Sequence, residues 1–266
     1  MIIPLSANDA WMRLISEVST YGQPSSPRGM EIKEVLGFTS CIDMNYPIVT
    51  HPGRSMGYKF LFAEAWWILS GRKDVDSIAP YAKAITKFSN DGHTFDGAYG
   101  PMVVEQMRYV VDSLLKDRDS RQAVMTVWRP NPRDSKDIPC TVALQFIIRN
   151  GAINCIATMR SSDAWLGWVY DVFNFSMIAY YIRERIAEAT GTEVLDLGKL
   201  QLTAGSQHIY RPQFDDVAQI LSDANFPDNR PKDFNIGKKF NCGGEPKILI
   251  QILENGKDHP TDLLDL

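Results

Sequence analysis

The amino-acid sequence predicts a single α+β domain on three observations. Strands and helices are mixed along the chain without the regular alternation that a parallel doubly wound sheet requires. The clearest strands, Val142–Arg149 and Ala152–Met159, are joined by Asn150-Gly151, the preferred type I′ turn, and so predict an antiparallel hairpin. No repeat, linker or low-complexity tract divides the 266 residues, and that length can bury a sizeable core.

Ser6–Val18 reads as a first helix, with Ser6 and Asp9 making a capping-box-like start and Trp11, Leu14, Ile15 and Val18 forming one stripe. Gly22 to Gly29 reads as a loop in which Arg28 is the only charge. Ile32–Thr39 and Ile48–Thr50 read as short strands. Tyr58–Leu69 is a helix apolar on nearly every face, stopped by Ser70-Gly71. Its one acid, Glu64, needs a partner or a task, because a buried unpaired carboxylate is costly. Burial would also raise its pKa toward the range useful for proton transfer. Val75–Phe88 is predicted helical, Asp91–Gly100 is a glycine-rich loop holding Tyr99, Val103–Leu115 is an amphipathic helix and Ala123–Trp128 is a strand. Leu166–Tyr170 leads to Asp171, a candidate N-cap for a long helix ending at Gly191. Leu195–Ala204 is a strand running into Gly205–Tyr210, Val217–Ser222 is helical, Asn225–Lys239 is mostly loop and Lys247–Leu253 is a last strand.

Apolar residues are 44 % of the chain, charged residues 23 %, and the net charge is −4 with no basic block. That is ordinary for a soluble enzyme and counts against a nonspecific nucleic-acid binder. No apolar run approaches the ~20 residues that span a bilayer, and Met1-Ile2-Ile3-Pro4-Leu5 lacks a signal peptide's basic start. Cys41, Cys140, Cys155 and Cys242 are scattered, with no Cys-x-x-Cys and no zinc spacing. Reduced thiols, a cytoplasmic location and no metal are expected.

The chemistry centres on Pro139-Cys140. Proline stiffens the chain just before a strand, which places the cysteine at the mouth of a pocket. Such a thiol is either a nucleophile whose pKa nearby cations lower, or a small core residue. Arg121 and Arg160 flank it, each at the edge of a strand that would pair with the one after Cys140. Arg28, Arg121 and Arg160 suit a phosphate, because guanidinium forks match its oxygens, and Ser161 adds a hydroxyl. His208 and Tyr210, two apart on an extended segment, face one way and suit sugar hydroxyls. A phosphorylated nucleoside attacked by a thiolate satisfies these roles together.

These motifs resemble the thymidylate synthase superfamily from Arg28 to about Tyr210, and more weakly to His259-Pro260. They stand in family order: Arg28; Glu64 in Ala-Glu-Ala-Trp-Trp-Ile-Leu-Ser-Gly; Tyr99 in Ala-Tyr-Gly; Asp119-Ser120-Arg121; Pro139-Cys140; Gln145; Met159-Arg160-Ser161-Ser162-Asp163; Leu166-Gly167; and His208-Ile209-Tyr210. The resemblance implies a mixed sheet packed with helices and a sheet-mediated homodimer. It implies that Cys140 adds to C6 of a pyrimidine nucleotide and that 5,10-methylenetetrahydrofolate donates a one-carbon unit to C5. Arg28, Arg160, Ser161 and an Arg121 from the other subunit would bind phosphate. Glu64 and Tyr99 would serve catalysis, Gln145 the substrate and Asp163 the pterin, while His208 and Tyr210 would hold the ribose.

Five departures refine that expectation. The family's uracil-reading asparagine is Asp171 here. A carboxylate offers acceptors only, so it repels uracil O4 but accepts from the cytosine N4 amino group and from a protonated N3. That resembles the deoxycytidylate hydroxymethylase branch. Thr141 replaces a histidine after the nucleophile, Ala84–Phe88 lacks the tryptophan of the folate cover, Thr261–Leu266 lacks the usual closing tail, and Gln122 replaces a second arginine. The missing cover and tail lean toward a hydroxymethyl product. Open alternatives are a deoxycytidylate methyltransferase, a CMP hydroxymethylase and a deoxyuridylate-using thymidylate synthase. A DNA cytosine methyltransferase would need a glycine-rich cofactor motif and a basic face, and neither is visible. A nonenzymatic nucleotide or RNA binder is disfavoured by the intact Cys140, Glu64 and Arg160. No membrane association or stable nucleic-acid complex is expected.

Overall fold

The computed structural model describes residues 3–132, 134–191, 195–223 and 236. The expectations for residues 225–239, for a strand at 247–253, and for Cys242, 259–260 and 261–266 lie outside the described residues, apart from Ile236.

Helix α1 spans Ala7–Tyr21 and begins where predicted, with Ser6 Oγ accepting from the Asp9 N–H at 3.3 Å. Its apolar stripe, Trp11, Leu14, Ile15 and Val18, is buried. The segment expected to be a loop instead forms strand β1, Gln23–Ser25, and a short 3-10 turn, Pro27–Gly29. Strand β2 runs Ile32–Asp43, longer than predicted, because its apolar end at Cys41 and Ile42 is buried under α1. The strand expected at Ile48–Thr50 is absent. There the Thr50 N–H donates to Asn8 Oδ1 at 2.8 Å and the Val49 carbonyl accepts from Tyr58 at 3.2 Å, so side chains take partners that a ladder would supply.

Helix α2 spans Tyr58–Leu69 as predicted. Val75–Phe88 is not a helix; only Lys83–Phe88 forms a 3-10 turn. Pro80 removes a donor in mid-segment, and the Val75 N–H is taken by the His93 carbonyl at 2.8 Å. Helix α3, Gly100–Lys116, and strand β3, Val124–Thr126, follow. Strands β4, Thr141–Arg149, and β5, Ala152–Asp163, make the expected hairpin. Asn150 and Gly151 have φ of 53° and 74°, the positive values that a type I′ turn requires. Helix α4, Trp168–Thr190, strand β6, Asp196–Tyr210, and helix α5, Phe214–Leu221, complete the described chain. Among the described residues no helix is long and apolar enough to cross a membrane.

The described strands form one sheet in the order β1-β2-β6-β5-β4-β3, antiparallel except where β5 pairs parallel to β6. Helices α1 and α4 pack on one face, against Ile42, Phe146, Ala157 and Leu202. The other face carries half-buried or exposed residues, including Thr39, Gln145, Thr158 and Thr203. At the β5–β6 pairing Gly205 lies so close to its neighbour that a Cβ would fall 2.8 Å from the Arg160 carbonyl oxygen.

Gly205→Ala is therefore expected to push β6 off β5, costing about 1–3 kcal/mol of stability. Urea unfolding of the two proteins measures it, and a loss of only a few tenths would show that the pairing yields freely.

Candidate active site

Cys140 precedes β4, and the site is built by the strand that pairs with β4. With Thr141 opposite Met159, Arg160 falls beside Cys140. The Arg160 backbone N–H donates to the Cys140 carbonyl at 2.8 Å. Its guanidinium donates to the carbonyls of Ile138 and Pro139, both at 2.9 Å, and to Ser161 Oγ at 3.1 Å. Ser161 Oγ in turn lies 3.6 Å from Cys140 Sγ, within donating distance of sulfur. Three of the five guanidinium N–H groups are thus engaged, which leaves two for an anion. Of the two flanking arginines, Arg160 lies beside Cys140, and Ser161 with it.

The expected lowering of the thiol is not. Burial pushes Cys140 up; Arg160 and the Ser161 hydroxyl oppose that, while Asp171 and Asp137 add to it. Desolvation of a thiolate outweighs one nearby guanidinium, so the resting group is the thiol.

Beside this cluster lies a cavity of about 200 Å³. Apolar walls come from Trp67 and Ile68 of α2, from Ile78, Ile85 and Phe88, and from Phe95. Glu64, Asp137, Asp171, Asn174 and Tyr99 supply its polar groups. Burial raises Glu64 to about 7, and a hydrogen bond from Asn174 Nδ2, 2.8 Å from Glu64 Oε2, opposes that rise. Burial likewise raises Asp137, although its carboxylate accepts from the Gly97 N–H at 2.7 Å. The Tyr99 hydroxyl, pushed far up by burial, accepts from the Thr141 N–H at 3.3 Å and so ties the cavity to the segment that carries Cys140.

Asp171 is not the N-cap of α4. Gly167 holds that position, and Asp171 lies inside the first turn with its N–H donated to the Gly167 carbonyl at 3.0 Å. Its carboxyl is raised well above the ordinary range by burial first, and then by the charges of Glu64 and Asp163. This corrects the reading of Asp171 as acceptor-only: the neutral carboxyl has one O–H donor as well as an acceptor.

Other predicted residues fall into place unevenly. His208 and Tyr210 lie together on β6, their rings edge-to-face with centroids 5.0 Å apart. His208 is opposite Asp163, two residues along from the Ser161–Ser206 pair. Asp163 is raised by burial, and its Oδ1 accepts from the Trp165 and Leu166 N–H groups at 2.8 and 3.0 Å. Arg28 is exposed, at φ 55° in the turn before β2, whose Ile32 pairs with Tyr210. Arg121 lines a separate cleft with Tyr109, Lys116 and Gln122. Gln145 sits on the sheet face away from the core and donates to the Arg121 carbonyl at 2.8 Å, so the structure brings neither residue to Cys140 within one chain.

Sequence reasoning passed over Asn174, Asp137 and Arg54. Asn174 could have been found, since it stands three residues after Asp171 and so shares its helix face. Asp137 was readable only as a charge in a loop. Arg54 is 6 % exposed, donates to the Trp165 carbonyl at 2.8 Å and stacks over the Trp165 ring at 5.3 Å, from a loop with no pattern to mark it.

Comparison with known proteins gives a consistent picture. The family model described as thymidylate synthase matches residues 9–239. A deoxyuridylate hydroxymethyltransferase of Bacillus phage SP01 is 31 % identical over 223 residues, covering 75 % of this chain and 56 % of that protein. One of Pseudomonas phage M6 is 29 % identical over 171 residues, covering 60 % and 47 %. A thymidylate synthase of Francisella tularensis subsp. holarctica is 24 % identical over 221 residues, covering 73 % and 76 %. The chain spans about half the length of the two phage relatives.

The buried acids make a pH prediction. A carboxyl whose folded pKa is raised stabilises fully below its unfolded value and loses that stability as pH rises through the folded value. For Glu64 the window runs from 4.5 to about 7. Stability is expected to fall across it, with Glu64 contributing roughly 3 kcal/mol. Urea midpoints at acidic and alkaline pH should differ less in Glu64→Gln than in the native protein, and equal differences would count against burial as the cause.

Proposed function

The chain belongs to the thymidylate synthase family, and from that premise we propose that it transfers a one-carbon unit to C5 of a pyrimidine nucleoside monophosphate. Deoxycytidylate is the proposed substrate and 5-hydroxymethyldeoxycytidylate the product. The observation that carries this reading is the Arg160–Ser161–Cys140 contact beside an acid-bearing, apolar-walled cavity.

The cavity suits a flat heterocycle. Trp67, Ile78, Ile85, Phe88 and Phe95 can cover ring faces, while Asp137 can accept from ring N–H groups. These residues would hold 5,10-methylenetetrahydrofolate, with Asp163 as a further polar contact, and when bound it supplies the one-carbon unit. Cys140, once deprotonated, adds to C6 of the nucleotide and makes C5 nucleophilic; the Arg160 charge and the Ser161 hydroxyl stabilise its thiolate. Glu64, titrating near neutrality, accepts and returns protons. Tyr99 stands between the cavity and the nucleophile and serves proton transfer at C5. The two free Arg160 N–H groups, Ser161 and Arg28 bind phosphate, joined by the partner subunit's Arg121 in a homodimer packed through the open sheet face. His208 and Tyr210 hold the ribose.

Two observations support a hydroxymethyl product. Both phage relatives are named hydroxymethyltransferases, and the cavity wall at Lys83–Phe88 has no tryptophan to exclude water. Asp171 supports cytosine, because a neutral acid has a proton to give and cytosine N3 is a ring nitrogen able to take it, which makes C6 more electrophilic. A second reading, deoxyuridylate as substrate, is favoured by the relatives' names and by the donor that a neutral Asp171 could offer to uracil O4.

Incubation with methylenetetrahydrofolate and each pyrimidine monophosphate, followed by mass spectrometry, is expected to give hydroxymethylated nucleotide. Cys140→Ser should abolish C5–H exchange while still binding nucleotide; persisting exchange would remove Cys140 from the mechanism.

For Asp171, the native protein is expected to have a higher kcat/KM for deoxycytidylate than for deoxyuridylate, and Asp171→Asn should shift that ratio about tenfold or more toward deoxyuridylate. A native preference for deoxyuridylate selects the second reading, and an unchanged ratio in the variant removes Asp171 from base selection.

A further inference from the structure

Helix α4 carries a second polar side chain to the cavity, Asn174, one turn beyond Asp171. Asn174 is 2 % exposed. Its Nδ2 donates to Glu64 Oε2 at 2.8 Å, while its Oδ1 is buried with no protein partner. Buried amide oxygens are rarely left unpaired, because an unmade hydrogen bond costs the full desolvation of the group. An acceptor at a cavity wall therefore points to a donor inside the cavity.

The surroundings narrow the donor. Glu64 shares the cavity with Asp171 from α4, Tyr99 from the start of α3 and Asp137 from the loop before β4, and its α2 neighbours Trp67 and Ile68 are apolar. No Lys, Arg or His lines the cavity among the described residues. Asn174 is thus the lining residue that donates to the Glu64 carboxylate. A water needs two to four polar partners, and Asn174 Oδ1, the carboxyl of Glu64 and that of Asp171 supply them on one wall.

We infer that Asn174 is a positioning residue for this site, holding Glu64 through Nδ2 and presenting Oδ1 to a water that Glu64 also contacts. The inference rests on reading the cavity as the place where the pyrimidine receives its one-carbon unit. It assigns the water's seat to α4, one helical turn from the residue proposed to read the base. It also predicts how Glu64 titrates. The Asn174 bond is the influence that lowers Glu64 against burial, so its removal moves Glu64 to higher pH.

Two variants and two readouts test it. In the nucleotide-free protein, urea unfolding from about pH 5 to pH 9 should show the Glu64-linked loss of stability extending about one pH unit higher in Asn174→Ala than in the native protein. Asn174→Ser, which keeps a small donor, should fall between the two and serves if Asn174→Ala does not fold. In folate-free C5–H exchange on deoxycytidylate, the acid limb should move up by about one pH unit, with the loss largest at low pH. A loss of exchange uniform across pH, or a stability profile that does not move in either variant, overturns the inference. If the native protein exchanges C5–H of no pyrimidine nucleotide, the proposed function fails instead, and the stability profiles alone decide the pairing of Asn174 with Glu64.

Discussion

The site depends on the pairing of β4 with β5, because that pairing puts a guanidinium under the loop that carries Cys140. Arg160 donates to the carbonyls of residues 138 and 139 and, through its backbone, to that of residue 140. Hydrogen bonds to a charged group contribute about 1.5–3 kcal/mol, against about 1 for neutral ones. A loop held by such bonds keeps Cys140 at one place just ahead of β4. Other contacts hold the same loop from its far side. Ser135 Oγ bridges Asn90 and Asp96 at 2.7 and 2.8 Å, and Asp137 takes the Gly97 N–H. The segment before α3 that walls the cavity and the loop that carries Cys140 are therefore one cross-linked unit.

Within that unit desolvation competes with charge, and the outcome differs by position. Cys140 has a cation and a hydroxyl in contact, yet burial still leaves it raised. Glu64 has one amide donor, and burial carries it to about 7. Asp171 has no lowering partner, and burial with the charges of Glu64 and Asp163 raises it well above its ordinary value. Each group follows the partners it finds: a low-dielectric wall penalises every charge, and only a close donor or cation offsets it. A thiol that rests neutral is also protected, since oxidation follows thiolate character.

Much of this was legible in the sequence where local chemistry and tertiary structure agree. Ser6 capped α1, the apolar run fixed α2, and Asn150-Gly151 fixed the hairpin that brings Arg160 to Cys140. His208 and Tyr210 met on one strand face because a strand has period two. The failures share a cause. Val75–Phe88 has helical spacing, but Val75 was claimed by His93, eighteen residues downstream; a pairing partner at that distance leaves no trace in periodicity. Asp171 was a candidate cap from its position before an apolar run, whereas the helix had already begun at Trp168. The direction of the Cys140 shift was misjudged for a related reason. Flanking arginines are visible in a sequence, but the depth at which a sulfur is buried is not.

Asp171 shows how burial changes what a residue type means. As a carboxylate it would be a pure acceptor, and base choice would follow from repulsion alone. Between α4, Glu64 and Asp163 it is held toward the neutral form, and a neutral carboxyl presents a donor and an acceptor, as an amide does. Both pyrimidines can then be hydrogen-bonded, so hydrogen-bond count no longer separates them. What an acid has and an amide lacks is a transferable proton. Cytosine N3 is basic enough to take it, and a ring protonated there is a better acceptor for a thiolate at C6; uracil has no comparable nitrogen. Under the role proposed for Asp171 the preference is kinetic: proton transfer would favour addition to cytosine more than it discriminates in binding, and it belongs in kcat/KM more than in affinity.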